Sequence, residues 1–123
     1  MYVRILVGTD GSDTAGKAVE RAAALAKATG ATLTIASAGD ITYAQKVVDE
    51  AAARHRDSGA PVDTKVLSGD PATTLIDEAE ANGYDLLVVG NKGMTGATRF
   101  FLGSVPNKVS HHAPCALLIV RTT

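Results

Sequence analysis

A chain of 123 residues, 46% hydrophobic and 20% charged, has the size of one domain and a globular balance. It can bury about two thirds of its unfolded surface, so folding requires no metal or disulfide. Net charge is −1 and the twelve Lys and Arg are scattered, which excludes a dense positive stripe and argues against a nucleic-acid partner. The single Cys115 excludes an internal disulfide, and with neither a leader pattern nor a bilayer-length apolar run the expected address is the cytoplasm, away from any membrane.

The first element is Val3-Arg4-Ile5-Leu6-Val7, a short apolar run ending at Gly8 that reads as a strand buried on both faces of a parallel sheet. Ser12 or Asp13 caps the next segment. Its apolar residues Ala15, Ala18, Val19, Ala22, Ala23 and Ala26 recur every three and four positions, which predicts a helix closed by Gly30. Thr32 to Ser37 is a second strand, and Ala44, Val47, Val48, Ala51 and Ala52 mark a second helix that runs out before Gly59-Ala60-Pro61.

Val62 to Leu67 is a more polar strand suited to a sheet edge. Asp70-Pro71 then supplies a cap and a first-turn proline. Ala72, Leu75, Ile76 and Ala79 form the expected buried face of the third helix, which Gly83 stops. Asp85 to Val89 is the fourth strand. Ser104 opens a last helix bearing Val105 and Val109, with Pro106 tolerated in its first turn, and Ala116 to Val120 is the fifth strand. Cys115, just before it, reads as a packed thiol rather than a nucleophile.

Strands alternating with helices require right-handed parallel crossovers, hence an α/β fold with an open parallel sheet and helices on both faces. Ligands of such sheets sit beyond the carboxyl ends of the strands, where the strand order reverses. The loops beginning at Gly8, Ser37 and Gly90 are therefore the candidates. After the fourth strand the chain reads Gly90-Asn91-Lys92-Gly93-Met94-Thr95-Gly96 and reaches Gly103-Ser104-Val105 where the last helix begins. Glycines let backbone approach a ligand, successive N–H groups cradle an anion, and a helix start adds free N–H groups. Lys92, Thr95 and Ser104 offer side-chain donors. Glycine spacing by itself leaves both a phosphate cradle and a plain turn open. Neither the Gly-x-x-x-x-Gly-Lys-Ser/Thr nor the Gly-x-Gly-x-x-Gly pattern occurs.

Four ordered stretches carry a resemblance: Val7-Gly8-Thr9-Asp10-Gly11-Ser12, Gly69-Asp70-Pro71-Ala72, Asp85-Leu86-Leu87-Val88-Val89-Gly90, and the spacing Gly90-x2-Gly93-x9-Gly103-Ser104. Over essentially its whole length the chain resembles the universal stress protein family. That resemblance implies one domain over residues 1–123 with an adenine nucleotide alpha hydrolase-like sheet in the order 3-2-1-4-5. It also implies a homodimer through the last strand, Ala116 to Val120, and ATP binding in a stress-response regulator. Carried over, the adenine side falls on Gly8, Thr9, Asp10 and roughly Ser37, and the phosphate side on Gly90, Gly93, Gly96, Gly103, Ser104 and Val105; Asn91, Lys92 and Thr95 of the same loop are further candidate nucleotide contacts read from the sequence itself. Asp10 is where the family holds a ribose hydroxyl or a divalent cation, Mg2+ or Mn2+; read from its own sequence it equally shapes the turn before the first helix.

Two departures bear on the ligand. Only about Ala38 to Thr42 joins the second strand to the second helix, where many relatives carry a longer cover, and Asn91 stands where several carry a basic residue or serine. Another adenine nucleotide such as cAMP, and a dimeric interaction protein without nucleotide, are the alternatives to ATP. No catalytic constellation is present, so any ATPase activity is expected to be slow. Adjacent His111 and His112 project apart on a helix and make poor metal ligands, His55 reads as a solvated helix end, and Tyr43, Tyr84, Phe100 and Phe101 are too scattered for base stacking.

Overall fold

The computed structural model describes residues 1–91 and 104–122. Nine elements alternate: β1 (Arg4–Gly8), α1 (Asp13–Thr29), β2 (Thr32–Ala38), α2 (Ile41–His55), β3 (Val62–Leu67), α3 (Pro71–Ala81), β4 (Leu86–Gly90), α4 (Ser104–His112) and β5 (Ala116–Val120). All strand pairs are parallel and the sheet order is β3-β2-β1-β4-β5. The order reverses between β1 and β4, and the carboxyl ends of strands at such a reversal, here Gly8 and Gly90, are where open parallel sheets take their ligands.

Alternation along the central strands divides the core in two. Ile5, Val7, Leu33, Ile35, Leu86 and Val88 face α1 and α2, where the alanines of both helices let them lie close to the sheet. Leu6, Ala36, Leu87 and Val89 face α3 and α4 and meet Leu75, Val105 and Val109. Both helical stripes expected for α1 and α2 are buried residue for residue.

The helix starts obey local chemistry. Ser12 Oγ accepts the Ala15 N–H at 3.2 Å, Asp40 accepts from Tyr43 at 3.1 Å and Asp70 from Thr73 at 2.9 Å, with Pro71 in the first turn of α3. The Thr73 N–H and hydroxyl, with the Lys108 ammonium 3.6 Å away, hold the Asp70 carboxyl below its usual range.

Some details differ from the sequence reading, and β2 runs one residue further than expected, to Ala38. Asp85 stands before β4 because its carboxylate takes the N–H groups of Val3 (2.8 Å) and Arg4 (3.0 Å), so β1 and β4 each lie one residue later than expected. On α3 Ile76 is only half-buried, and the buried position goes to Glu78. Its Oε2 accepts from Asn82 Nδ2 at 2.8 Å and the Tyr84 hydroxyl at 3.1 Å, and lies 3.7 Å from Lys65 Nζ, so the charge is compensated where the periodicity alone gives no sign of it. Cys115 is half-buried, and burial together with the Asp85 carboxylate pushes its thiol up. Among the described residues no helix is long and apolar enough to cross a membrane.

Candidate nucleotide site

The turn between β1 and α1 is built by its own side chains. Thr9 donates its N–H to the Ala36 carbonyl at 2.9 Å, continuing the β1–β2 ladder one residue, and is buried. Its Oγ1 accepts the Gly11 N–H at 3.1 Å, and Asp10 Oδ1 accepts the Ser12 N–H at 2.9 Å. Asp10 thus shapes the turn with one carboxylate oxygen, while Oδ2 takes no hydrogen bond among the described residues. The Tyr43 hydroxyl donates to the Asp10 carbonyl at 3.3 Å and ties the first turn of α2 to this corner. Gly8 ends β1 beneath the turn because Leu75 leaves no room there for a side chain.

The other two loops leave the same sheet end. Ser37 is buried, alternating with Ile35 on the α1/α2 side, so Ala38 and Gly39 are what β2 offers at the mouth. The connection from β2 to α2 is only Gly39-Asp40, with Gly39 at φ 118°, shorter still than the sequence suggests. Gly90 is buried as the last residue of β4, paired with Val120. Asn91 donates its N–H to the Val120 carbonyl at 2.8 Å, while its Oδ1 accepts both the N–H (2.8 Å) and the hydroxyl (2.9 Å) of Thr122. Ser104 is exposed at the start of α4, and Val105 points into the α3/α4 core, leaving its main chain as what it brings to the site. Lys92, Gly93, Thr95, Gly96 and Gly103, with Phe100 and Phe101, lie outside the described residues.

Gly8, Thr9, Asp10, Ala38, Gly90, Asn91 and Ser104 thus belong to one end of the sheet, as the topology requires. A cleft of about 470 Å³ lies elsewhere, down the groove between α1 and α2, and meets this end only at Thr9, Gly11 and Ser12. Among the described residues no group of three or more His, Cys, Asp or Glu is arranged to hold a metal. Sequence reasoning did not find Tyr43, Thr122 or Lys17, whose ammonium donates to the Thr122 carbonyl at 3.1 Å. Their contacts span 31 to 105 positions and leave no local signal.

Known proteins match this arrangement along the whole chain. Universal stress protein Rv1636 of Mycobacterium tuberculosis (strain H37Rv) is 37% identical over 99% of this chain and 98% of its own length, and universal stress protein YxiE of Bacillus subtilis (strain 168) is 31% identical over 98% and 100%. The alignment with Rv1636 runs over 144 positions against a chain of 123 residues, so that relative carries residues this chain does not. A crystal structure of a universal stress protein in complex with cAMP superposes with a TM-score of 0.87 at 37% identity, covering 99% of this chain and 98% of that one. The sequence pattern of the universal stress protein family matches residues 1–49 and 36–121, two stretches that overlap over residues 36–49, where the short β2–α2 connection lies. On this ground the chain belongs to the universal stress protein family.

Proposed function

We propose that this chain is an adenine-nucleotide-binding regulatory module that works as a homodimer and not as a fast enzyme. The observation that carries the reading is that the β1 and β4 ends adjoin at the reversal of strand order: the turn after β1 carries on Asp10 a carboxylate oxygen with no hydrogen bond among the described residues, and β4 leads at Gly90 into a sequence rich in glycine that ends at the start of α4. The base and ribose lie at Gly8, Thr9, Asp10 and the end of β2 around Ser37. The phosphates lie along Gly90, Asn91, Lys92, Gly93, Thr95, Gly96, Gly103, Ser104 and Val105. A lone carboxylate beside phosphates suits Mg2+ or Mn2+, which is commonly held by one or two carboxylates plus the nucleotide, so Asp10 is the residue that would hold it.

ATP and cAMP are the competing ligands. The two-residue Gly39-Asp40 connection leaves little chain to close over a triphosphate, and the 37% identical universal stress protein structure contains cAMP. The β5 edge, with half-buried Leu117, Leu118 and Ile119 on a strand that has a neighbour on one side only among the described residues, supports pairing with a second copy. Mass spectrometry of small molecules released from the purified, denatured protein, followed by competition of labelled ATP with cAMP, tests the reading. Recovery of ATP or cAMP together with mutual displacement is expected. No bound nucleotide and no thermal shift at millimolar ATP, AMP or cAMP overturns it, since ligand at a hundred times its Kd stabilises by about 2.7 kcal/mol.

A further inference from the structure

Three cations from separate parts of the chain, Arg4 at the start of β1, Arg56 just after α2 and Lys65 on β3, line one depression of about 460 Å³. Arg4 stands two positions before Leu6 and Thr34 is in register with Leu6, so the depression is on the α3/α4 face of the sheet, toward the amino ends of the strands. Among the described residues neither α3 nor α4 lines it. Thr34 and Tyr84, buried at 4% and 6% exposure, are its inner polar members. Each cation is anchored by another group: Arg4 Cζ lies 4.5 Å from the centre of the Tyr84 ring and its guanidinium donates to the Asn82 carbonyl, Arg56 donates to the Val62 carbonyl at 3.4 Å, and Lys65 Nζ is 3.7 Å from Glu78 Oε2. Neither arginine forms an ion pair among the described residues. The carboxylates nearby are Asp63 in the lining, Glu78, which also accepts from Asn82 and Tyr84, and Asp85, whose two oxygens are taken by the Val3 and Arg4 N–H groups.

We propose that this depression is a second ligand site, for a small molecule that carries several oxyanion charges, a phosphate ester or a polycarboxylate. A guanidinium has five N–H donors, so an arginine held by one carbonyl keeps most of its fork for an oxyanion. Anchoring before the ligand arrives lowers the cost of ordering these long side chains. The volume falls within the range of small-molecule sites and exceeds what a bare ion needs. None of the lining residues belongs to the loops after β1, β2 or β4, so the proposal stands apart from the nucleotide reading. Pairing through β5 leaves the depression open, because β3 is the other edge of the sheet.

The test is an amide NMR titration of the full, isotope-labelled chain with inorganic phosphate and, separately, with citrate, each against sodium chloride at equal ionic strength. Saturable shifts centred on Arg4, Thr34, Asp63, Lys65 and Tyr84 are expected, and chloride should not reproduce them. Arg4→Gln and Arg56→Gln should each weaken binding about three- to ten-fold. Lys46→Gln, which removes an exposed positive charge outside the lining, should leave it at the parent value. Arg56 is exposed at the end of α2, so its replacement reads the lost charge even where Arg4→Gln loosens the Tyr84 contact, and the spectra themselves report folding. Tighter binding of phosphate assigns the site to phosphate esters, and tighter binding of citrate assigns it to polycarboxylates. Shifts that chloride reproduces, shifts confined to Gly8–Ser12 and Asn91, or parent-like affinity in both arginine variants overturn the proposal and leave the nucleotide reading as it stands.

Discussion

Leu75 packs over Gly8 so closely that a β-carbon on Gly8 would come within 2.6 Å of the Leu75 Cδ1. Leu75 is a core residue of α3, and Gly8 is the last residue of β1, directly under the Thr9–Ser12 turn. The floor of the candidate site is therefore also a packing contact between sheet and helix.

The same substitution at two glycines is expected to have opposite signs. Gly8→Ala overpacks a closed contact and should destabilise by about 1–3 kcal/mol. Gly16 lies inside α1, and a β-carbon there meets no atom within 4 Å, so Gly16→Ala should stabilise by about 0.5–1 kcal/mol through helix propensity and a stiffer unfolded chain. Urea titrations of the two variants check both signs; a neutral Gly8→Ala would show that Leu75 moves aside at no cost.

Glu78 and Tyr84 form a buried polar pair, and each side of it can be tested. Glu78→Ala strips a charged acceptor from Asn82 and Tyr84 and is expected to cost about 1.5–3 kcal/mol in a denaturant titration, with Glu78→Gln milder. Burial first, with the Glu78 carboxylate adding to it, raises the Tyr84 hydroxyl above its ordinary value of 10.0. The folded protein therefore holds this proton to higher pH than the unfolded chain does. The contribution is complete below about pH 10 and is lost as pH rises beyond it. Stability measured between pH 9 and 11 should fall less steeply in Tyr84→Phe than in the parent, and parallel slopes would remove Tyr84 from the account.

Asp10→Asn separates the two roles of one side chain. The amide oxygen can still accept the Ser12 N–H, so the turn and the melting temperature should be retained. The charge is gone, and the Mg2+-dependent part of ATP affinity should go with it. Calorimetry with and without Mg2+ is the measurement, and an unchanged Mg2+ dependence would leave Asp10 with the turn alone.

Cys115 is expected to label slowly. Half-burial and the Asp85 carboxylate raise its thiol above the usual 9.0, which leaves little thiolate at neutral pH. Ellman's reagent should react with the folded protein at pH 7.5 more slowly than with the chain in urea; equal rates would show the thiol to be open.

Much of the architecture was legible because it is written locally. Apolar spacing gave α1 and α2 with every buried residue, and the side chains of Ser12 and Asp70 marked helix starts that the structure confirms as caps. Strands β3 and β5 have the expected bounds. The misplacements share one cause. Asp85 sits within an apolar run, yet its carboxylate is used by Val3 and Arg4, more than 80 positions away. Glu78 interrupts an apolar face, yet Lys65, Asn82 and Tyr84 compensate it.

The sequence by itself determined the order of elements, their helix or strand character and the family, because periodicity, caps and glycine spacing act over a few residues. It also showed that the cover after the second strand is short. Tertiary structure decided which carboxylate oxygen of Asp10 builds the turn, that Asn91 is fastened to Thr122, and that Lys17 joins the same bridge. Hydrogen-bond partners brought together by the sheet can be any distance apart in the chain, so nothing local in the sequence announces them.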